Sequence, residues 1–166
     1  MPVDVWDFYQ QCEDALVNVL LELKPSFFNR DEQVSDDDTV LSTGADYWII
    51  YRPGAFPIVD NLVTRQILDV DWNVTADLYV RYKTYKESWS KFRKFRAALF
   101  FLLHSDQTLG NAPNVHRVSM SSNEIVQYFR FAETSESAKP NFIIQTCNIV
   151  IRQRVRFDKT VFVPSP

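Results

Sequence analysis

Residues 66–82 read QILDVDWNVTADLYVRY, the longest alternating stretch in the chain. Val70, Trp72, Val74, Ala76, Leu78, Val80 and Tyr82 fall on one parity, and Asp69, Asp71, Asn73, Thr75, Asp77, Tyr79 and Arg81 on the other. Around a helix such alternation would scatter apolar groups over every side, whereas on a pleated strand it makes one dry face and one wet one. The stretch therefore predicts a long, half-buried strand, with the other elements packed on its dry face.

Immediately after it the period changes. Thr84 followed by Glu87 has the form of a capping box, and Trp89, Phe92, Phe95, Leu99, Leu102 and Leu103 then make one stripe, predicting a helix over 85–104. Its other side carries Lys86, Lys91, Arg93, Lys94 and Arg96. Cations early in a helix oppose its dipole by a few tenths of a kcal/mol each; the cluster is either a solvated face or one kept for a contact. Phe100 and Phe101 add apolar surface outside the stripe, so the helix is expected to be covered on both sides, by a neighbouring subunit on one of them. Trp72 and Trp89 are expected to be buried together between the strand and this helix.

Upstream, Phe8, Cys12, Ala15, Leu16, Val19, Leu20 and Leu23 recur at three- and four-residue steps, predicting a helix over 4–23. Asp4 reads as its N-cap, Val3 as a staple on Phe8, and Pro25 as its stop. Residues 26–46 turn polar, with the run Asp36, Asp37, Asp38, and read as an exposed, projecting loop; 55–65 reads as a second loop. Between them YWIIY (47–51) is a short strand buried on both faces, closed by Arg52, Pro53 and Gly54. Downstream, 106–114 reads as a projecting turn-rich loop. Residues 115–121 and 124–132 read as a hairpin about Ser122 and Asn123. A second long alternating strand, 142–157, carries Ile143, Cys147, Ile149, Ile151, Val155 and Phe157 on one face, with Thr146, Asn148, Arg152, Arg154 and Arg156 on the other. The tail 158–166 reads as frayed. The expectation is one α+β domain over 1–166, a mixed, mostly antiparallel sheet with two main helices packed on it, in the order α-β-β-α-β-β-β.

At 166 residues and 46% hydrophobic the chain suits a single core. No run of about 18 uncharged apolar residues occurs, and the first residues lack the pattern of a signal peptide, so a protein made in the cytoplasm, without a membrane partner, is expected. Cys12 and Cys147 both fall on apolar faces and read as buried free thiols. The net charge of −3 conceals a partition: residues 1–80 hold four Lys or Arg against 15 Asp or Glu, and residues 81–166 hold 14 against six. That asymmetry suits either an acidic strand paired with a basic one or a partner.

Catalytic signatures are missing. Three glycines leave no phosphate-cradling loop, and no nucleophile elbow, H-E-x-x-H or C-x-x-C occurs. His104 and His116 have no nucleophile or metal partner at a diagnostic spacing. Asp69, Asp71 and Asp77 are hard oxygen ligands on one strand face, which keeps open a small metal-dependent nuclease; cross-strand pairing with Arg152, Arg154 and Arg156 is the simpler use for them. A nucleic-acid-binding module using Lys91, Arg93, Lys94 and Arg96 is a third reading. No cofactor is expected.

The order of an N-terminal helix (4–23), a strand before a Pro-Gly turn (47–54), a helix (85–104) and a closing alternating strand (142–157) resembles the tail terminator, or tail completion, proteins of tailed bacteriophages. The resemblance is one of pattern, length and order along nearly the whole chain. It implies a virion protein of the tail neck, with no enzymatic activity. Such subunits form a six-membered ring that caps the head-proximal end of the tail tube, ends tube growth and meets the head connector. The implied partners are further copies of the chain, the tail tube protein and a head-completion or connector protein, with genomic DNA passing through the lumen without sequence-specific binding. Head-to-tail association of unlike patches suits the charge partition. Candidate residues for a subunit or tube interface are Asp69, Asp71, Asp77, Arg93, Arg96, Arg152, Arg154 and Arg156.

Overall fold

A computed structural model of the chain describes residues 5–54, 58–64, 67–129 and 142–156. In chain order the elements are α1 (Val5–Leu21), β1 (Val34–Ser35), β2 (Tyr47–Pro53), β3 (Ile58–Thr64), β4 (Ile67–Arg81), α2 (Tyr85–Ser105), β5 (Val115–Phe129) and β6 (Phe142–Arg156). Two 3₁₀ helices, Asp31–Gln33 and Asp38–Thr43, flank β1. The strands make one six-stranded sheet ordered β1-β2-β4-β6-β5, with β3 also on β4. Only β1 runs parallel to its neighbour β2; the other pairings are antiparallel. This is an α+β fold with a mixed, mostly antiparallel sheet and two main helices.

β4 takes the central place that its alternation predicts. One edge pairs with β6 along its whole length, Ile67 opposite Arg156 through Arg81 opposite Phe142. The other edge is shared in tandem, by β2 opposite Val74–Val80 and by β3 opposite Ile67–Asp71. The chain passes from β2 towards β3 at Gly54, whose N–H donates to the Asn73 carbonyl at 2.6 Å. A Cβ at Gly54 would lie 2.7 Å from that same oxygen, so only glycine fits the approach.

Val70, Trp72, Val74, Ala76, Leu78 and Val80 are all buried, as are Ile143, Cys147, Ile149, Ile151 and Val155 of β6. Helix faces cover them: Cys12, Leu16, Val19 and Leu20 from α1, and Phe92, Phe95, Leu99 and Leu103 from α2. Each large side chain fully withdrawn from water contributes about 1.5–3 kcal/mol. Phe95 lies at the centre of an aromatic cluster, with centroids 5.1 Å from Tyr47, 5.2 Å from Phe27 and 5.8 Å from Phe28. Two glutamines share the dry parity of β6. Gln153 is satisfied there, accepting from Trp72 Nε1 at 3.0 Å and donating to the Pro113 carbonyl at 3.0 Å.

Several expectations need correction. Residues 26–46 are not a projecting loop; Phe28, Gln33, Val34 and Leu41 are buried. Gln33 ties the segment down, its Oε1 accepting from the N–H groups of Asn29 and Arg30 and its Nε2 donating to the Tyr47 carbonyl. The stretch read as a loop over 55–65 contains β3. The expected hairpin about Ser122 and Asn123 is instead the single strand β5, whose register against β6 shifts between Ser122 and Val126. A bulge absorbs the polar residues without reversing the chain. The 106–114 segment folds back, with Leu109 in the main core and Asn114 accepting from the Arg154 N–H. Trp72 is buried against Tyr9 of α1, 5.5 Å away and edge-on, whereas Trp89 is half-buried beside Tyr85 and Phe92 of its own helix. Helix α1 ends at Leu21, ahead of Pro25. Asp4, Val3, Phe157 and the tail 158–166 lie outside the described residues.

Candidate functional site

Opposite registers in β4 and β6 bring the predicted wet faces together. Asp71 faces Arg152 and Asp69 faces Arg154. Each pair is bidentate, at 2.8 and 2.8 Å for Arg152 on Asp71 and 2.8 and 3.1 Å for Arg154 on Asp69. The guanidinium of Arg154, by hydrogen bond and charge, holds the Asp69 carboxyl below the usual carboxylate range despite some burial. Arg156 faces Ile67, out of line with either carboxylate.

Asp77 lies six residues along β4 from Asp71, roughly 20 Å at strand rise. It accepts from Thr146 Oγ1 at 2.6 Å and is approached by Arg52 Nη1 at 3.4 Å. The three aspartates do not converge, and among the described residues no group of three or more His, Cys, Asp or Glu is placed to hold a metal ion. His104 stacks on Phe100 at 3.9 Å, and its Nδ1 lies 2.8 Å from the Phe100 carbonyl. Cys12 and Cys147 are buried free thiols, pushed by burial up to about 12 and about 11, which suppresses the nucleophilic thiolate.

The basic helix divides into two parts. Lys91 sits on the inner flank, 2.8 Å from Asp46 and 3.4 Å from Glu87. Glu87 lends its N–H to Thr84 Oγ1, while its carboxylate turns to Lys91. Burial would raise Asp46, but Lys91 and Lys83 outweigh it, and its pKa is lowered. The outer face shows Lys86, Arg93, Lys94 and Arg96, all exposed, and Arg93 lies over the Trp89 ring at 6.0 Å. Among the described residues Lys86, Arg93 and Lys94 make no ion pair. Further along the same face come Phe100 and Phe101, 41% and 69% exposed, with Tyr85 at 65% at the start of the helix. Exposed apolar groups gathered on one face, rimmed by polar residues, commonly mark a contact surface.

Sequence reasoning missed an acidic patch. Glu13 and Asp14 of α1 meet Asp36, just beyond β1. Glu13's pKa is raised by burial and then by the charges of Asp36 and Asp14, and burial with the same three carboxylates pushes the Tyr51 hydroxyl up to about 12. Asp36, Asp37, Asp38 and Arg52 line an adjoining open depression. The Asp-Asp-Asp run was visible in the sequence, but its approach to α1 depends on β1 pairing with β2.

No helix among the described residues is long and apolar enough to cross a membrane. No protein-family model matches this chain, and no curated protein matches it in sequence.

Proposed function

We propose that the protein is a structural subunit that closes into a ring, the role of tail terminators: capping the head-proximal end of a phage tail tube, ending its growth and joining it to the head connector. The observation that carries this reading is the outer face of α2. Three aromatic rings and three cations without ion partners among the described residues share one rigid helix. Aromatic and arginine side chains are the groups that anchor protein interfaces. Of the aspartate and arginine rows offered by the sequence as interface residues, Asp77 and Arg156 stand apart, while Asp69 and Asp71 meet Arg154 and Arg152 within the chain. Their contribution to a ring or tube contact is therefore that of a neutralised polar face. Opposed charge in the two halves of the chain suits a head-to-tail contact, which closes into a ring when the rotation allows.

The sensing of nucleic acid by Tyr85, Trp89 and Arg93 is the second reading, because rings beside cations stack bases and hold phosphates. Light scattering combined with negative-stain imaging of the purified chain separates the readings. Rings of about six copies are expected. A particle that stays at the 19.4 kDa of one chain at every concentration would overturn the proposal, as would Mg²⁺-dependent DNA cleavage lost in Asp69→Asn.

A further inference from the structure

Two surfaces on different elements carry opposite, uncompensated charge. On α2, Lys86, Arg93 and Lys94 stand exposed beside Tyr85 and Phe101. Where α1 meets the segment after β1, Glu13, Asp14, Asp36, Asp37 and Asp38 gather with Arg52 as the nearby cation, and Arg52 is shared with Asp77. Among the described residues none of Asp36, Asp37 and Asp38 is in an ion pair. Asp37 spends its carboxylate on Thr39, accepting from both the N–H and the hydroxyl. Burial first, and then the like charges of Asp36 and Asp14, disfavour the ionised form of Glu13, and a cation delivered from outside would relieve the second of these.

We propose that the outer face of α2 docks on the acidic patch at Glu13, Asp14 and Asp36–38 of a second copy of the chain, giving a head-to-tail contact. The inference rests on the ring reading and names the two faces that mate in it. Charge complementarity selects the occupant: the chain carries both the basic face and its counterpart, so each copy can donate one and receive on the other. Phe101 and Tyr85 supply the apolar area that leaves water on docking, and the cations supply orientation and encounter rate. Because the two faces differ, the contact is heterologous and repeats around an axis.

Charge reversal on each face, followed by mixing, tests the assignment. Arg93→Glu with Lys94→Glu makes both faces acidic; Asp14→Lys, Asp36→Lys and Asp38→Lys together make both basic. Every substituted residue is exposed, so each variant is expected to melt at nearly the wild-type temperature, and circular dichroism checks this. Each protein alone is expected to associate at least about tenfold more weakly than wild type in sedimentation velocity at 150 mM salt. An equimolar mixture is expected to regain rings, since the acidic helix of one variant then meets the basic patch of the other in alternation. Phe101→Ser weakens association without changing its salt dependence. Wild-type rings that persist in both variants would overturn the pairing of faces while leaving the ring reading in place. Wild-type protein that never assembles removes both. Binding of a single-stranded oligonucleotide, lost with Arg93→Glu and Lys94→Glu in a protein that stays monomeric, would reassign the face to nucleic acid.

Discussion

The two ends of β4 carry the same alternation and end in different surroundings. At its C-terminal end the face turned away from the helices is a small second core: Tyr79 packs with Trp48, Ile50, Leu41, Phe142 and Ile144. Residues 38–43 contribute Leu41 to it, and the Arg81 guanidinium lies 5.5 Å from the centroids of both Trp48 and Phe142. At the N-terminal end the same face is the Asp69 and Asp71 ladder, half open to water. Asp77 stands between, 8% exposed and hydrogen-bonded. Parity decides which side of a sheet a residue occupies. Whether that side is wet depends on what the rest of the chain lays over it.

The strongest way to break this comparison is to hollow each core. Trp48→Ala in the outer cluster should cost about 3–5 kcal/mol, as much as Trp72→Ala in the main core, measured by urea unfolding. A cost under about 1 kcal/mol for Trp48→Ala would make the outer cluster a surface covering.

Next in size is the boundary residue. Asp77→Ala removes a buried carboxylate and leaves the half-buried Thr146 hydroxyl without its acceptor, and should cost about 1–3 kcal/mol. Asp71→Ala, on the open ladder, should cost about 1 kcal/mol or less. Equal costs would erase the distinction between the middle of the strand and its end.

The smallest effect sharpens the comparison through pH. Arg154 lowers the folded pKa of Asp69 below its unfolded value, so the pair's contribution is complete above about pH 4 and is lost as pH falls through the folded value. Asp69→Asn should therefore lower the unfolding free energy at pH 7 by under about 1 kcal/mol, and merge with wild type in strong acid. A difference that grew towards low pH would mean the opposite sign of coupling.

Much of this was legible because long elements repeat their own rule. β4, β6 and the stripes of α1 and α2 each show many turns of one period, and parity with charge suggests that the aspartate row pairs with the arginine row. The register that sets Asp69 opposite Arg154 was not legible, because a two-residue slip keeps both parity and charge. Short elements obey no such rule. β1 has two residues and exists because Val34 and Ser35 find β2 while Gln33 is held by the Tyr47 carbonyl. β3 contains Asp60 and Asn61, residues that favour turns, and its pairing with β4 overrides them. Ser122 and Asn123 misled for the same reason. For the candidate site, the basic and aromatic side of α2 could be drawn on a helical wheel from its spacing. The acidic patch could not, since it joins residues 13 and 36 through tertiary structure alone.

The contact between Lys91 and Asp46 has a mechanical consequence. Helix α2 is seated on the sheet by its apolar stripe, with Phe95 at the centre, and a helix held by one stripe can roll about its own axis. Lys91 fastens a second line, on the inner flank, to the residue that leads into β2; the same residue's carbonyl accepts from the Arg81 N–H at the end of β4. Two attachments at different angles about the axis oppose roll where one would not. A torque applied at Arg93 or Phe101 would thus be passed to β2 and β4 together, and the outer face of α2 would keep its tilt on the sheet.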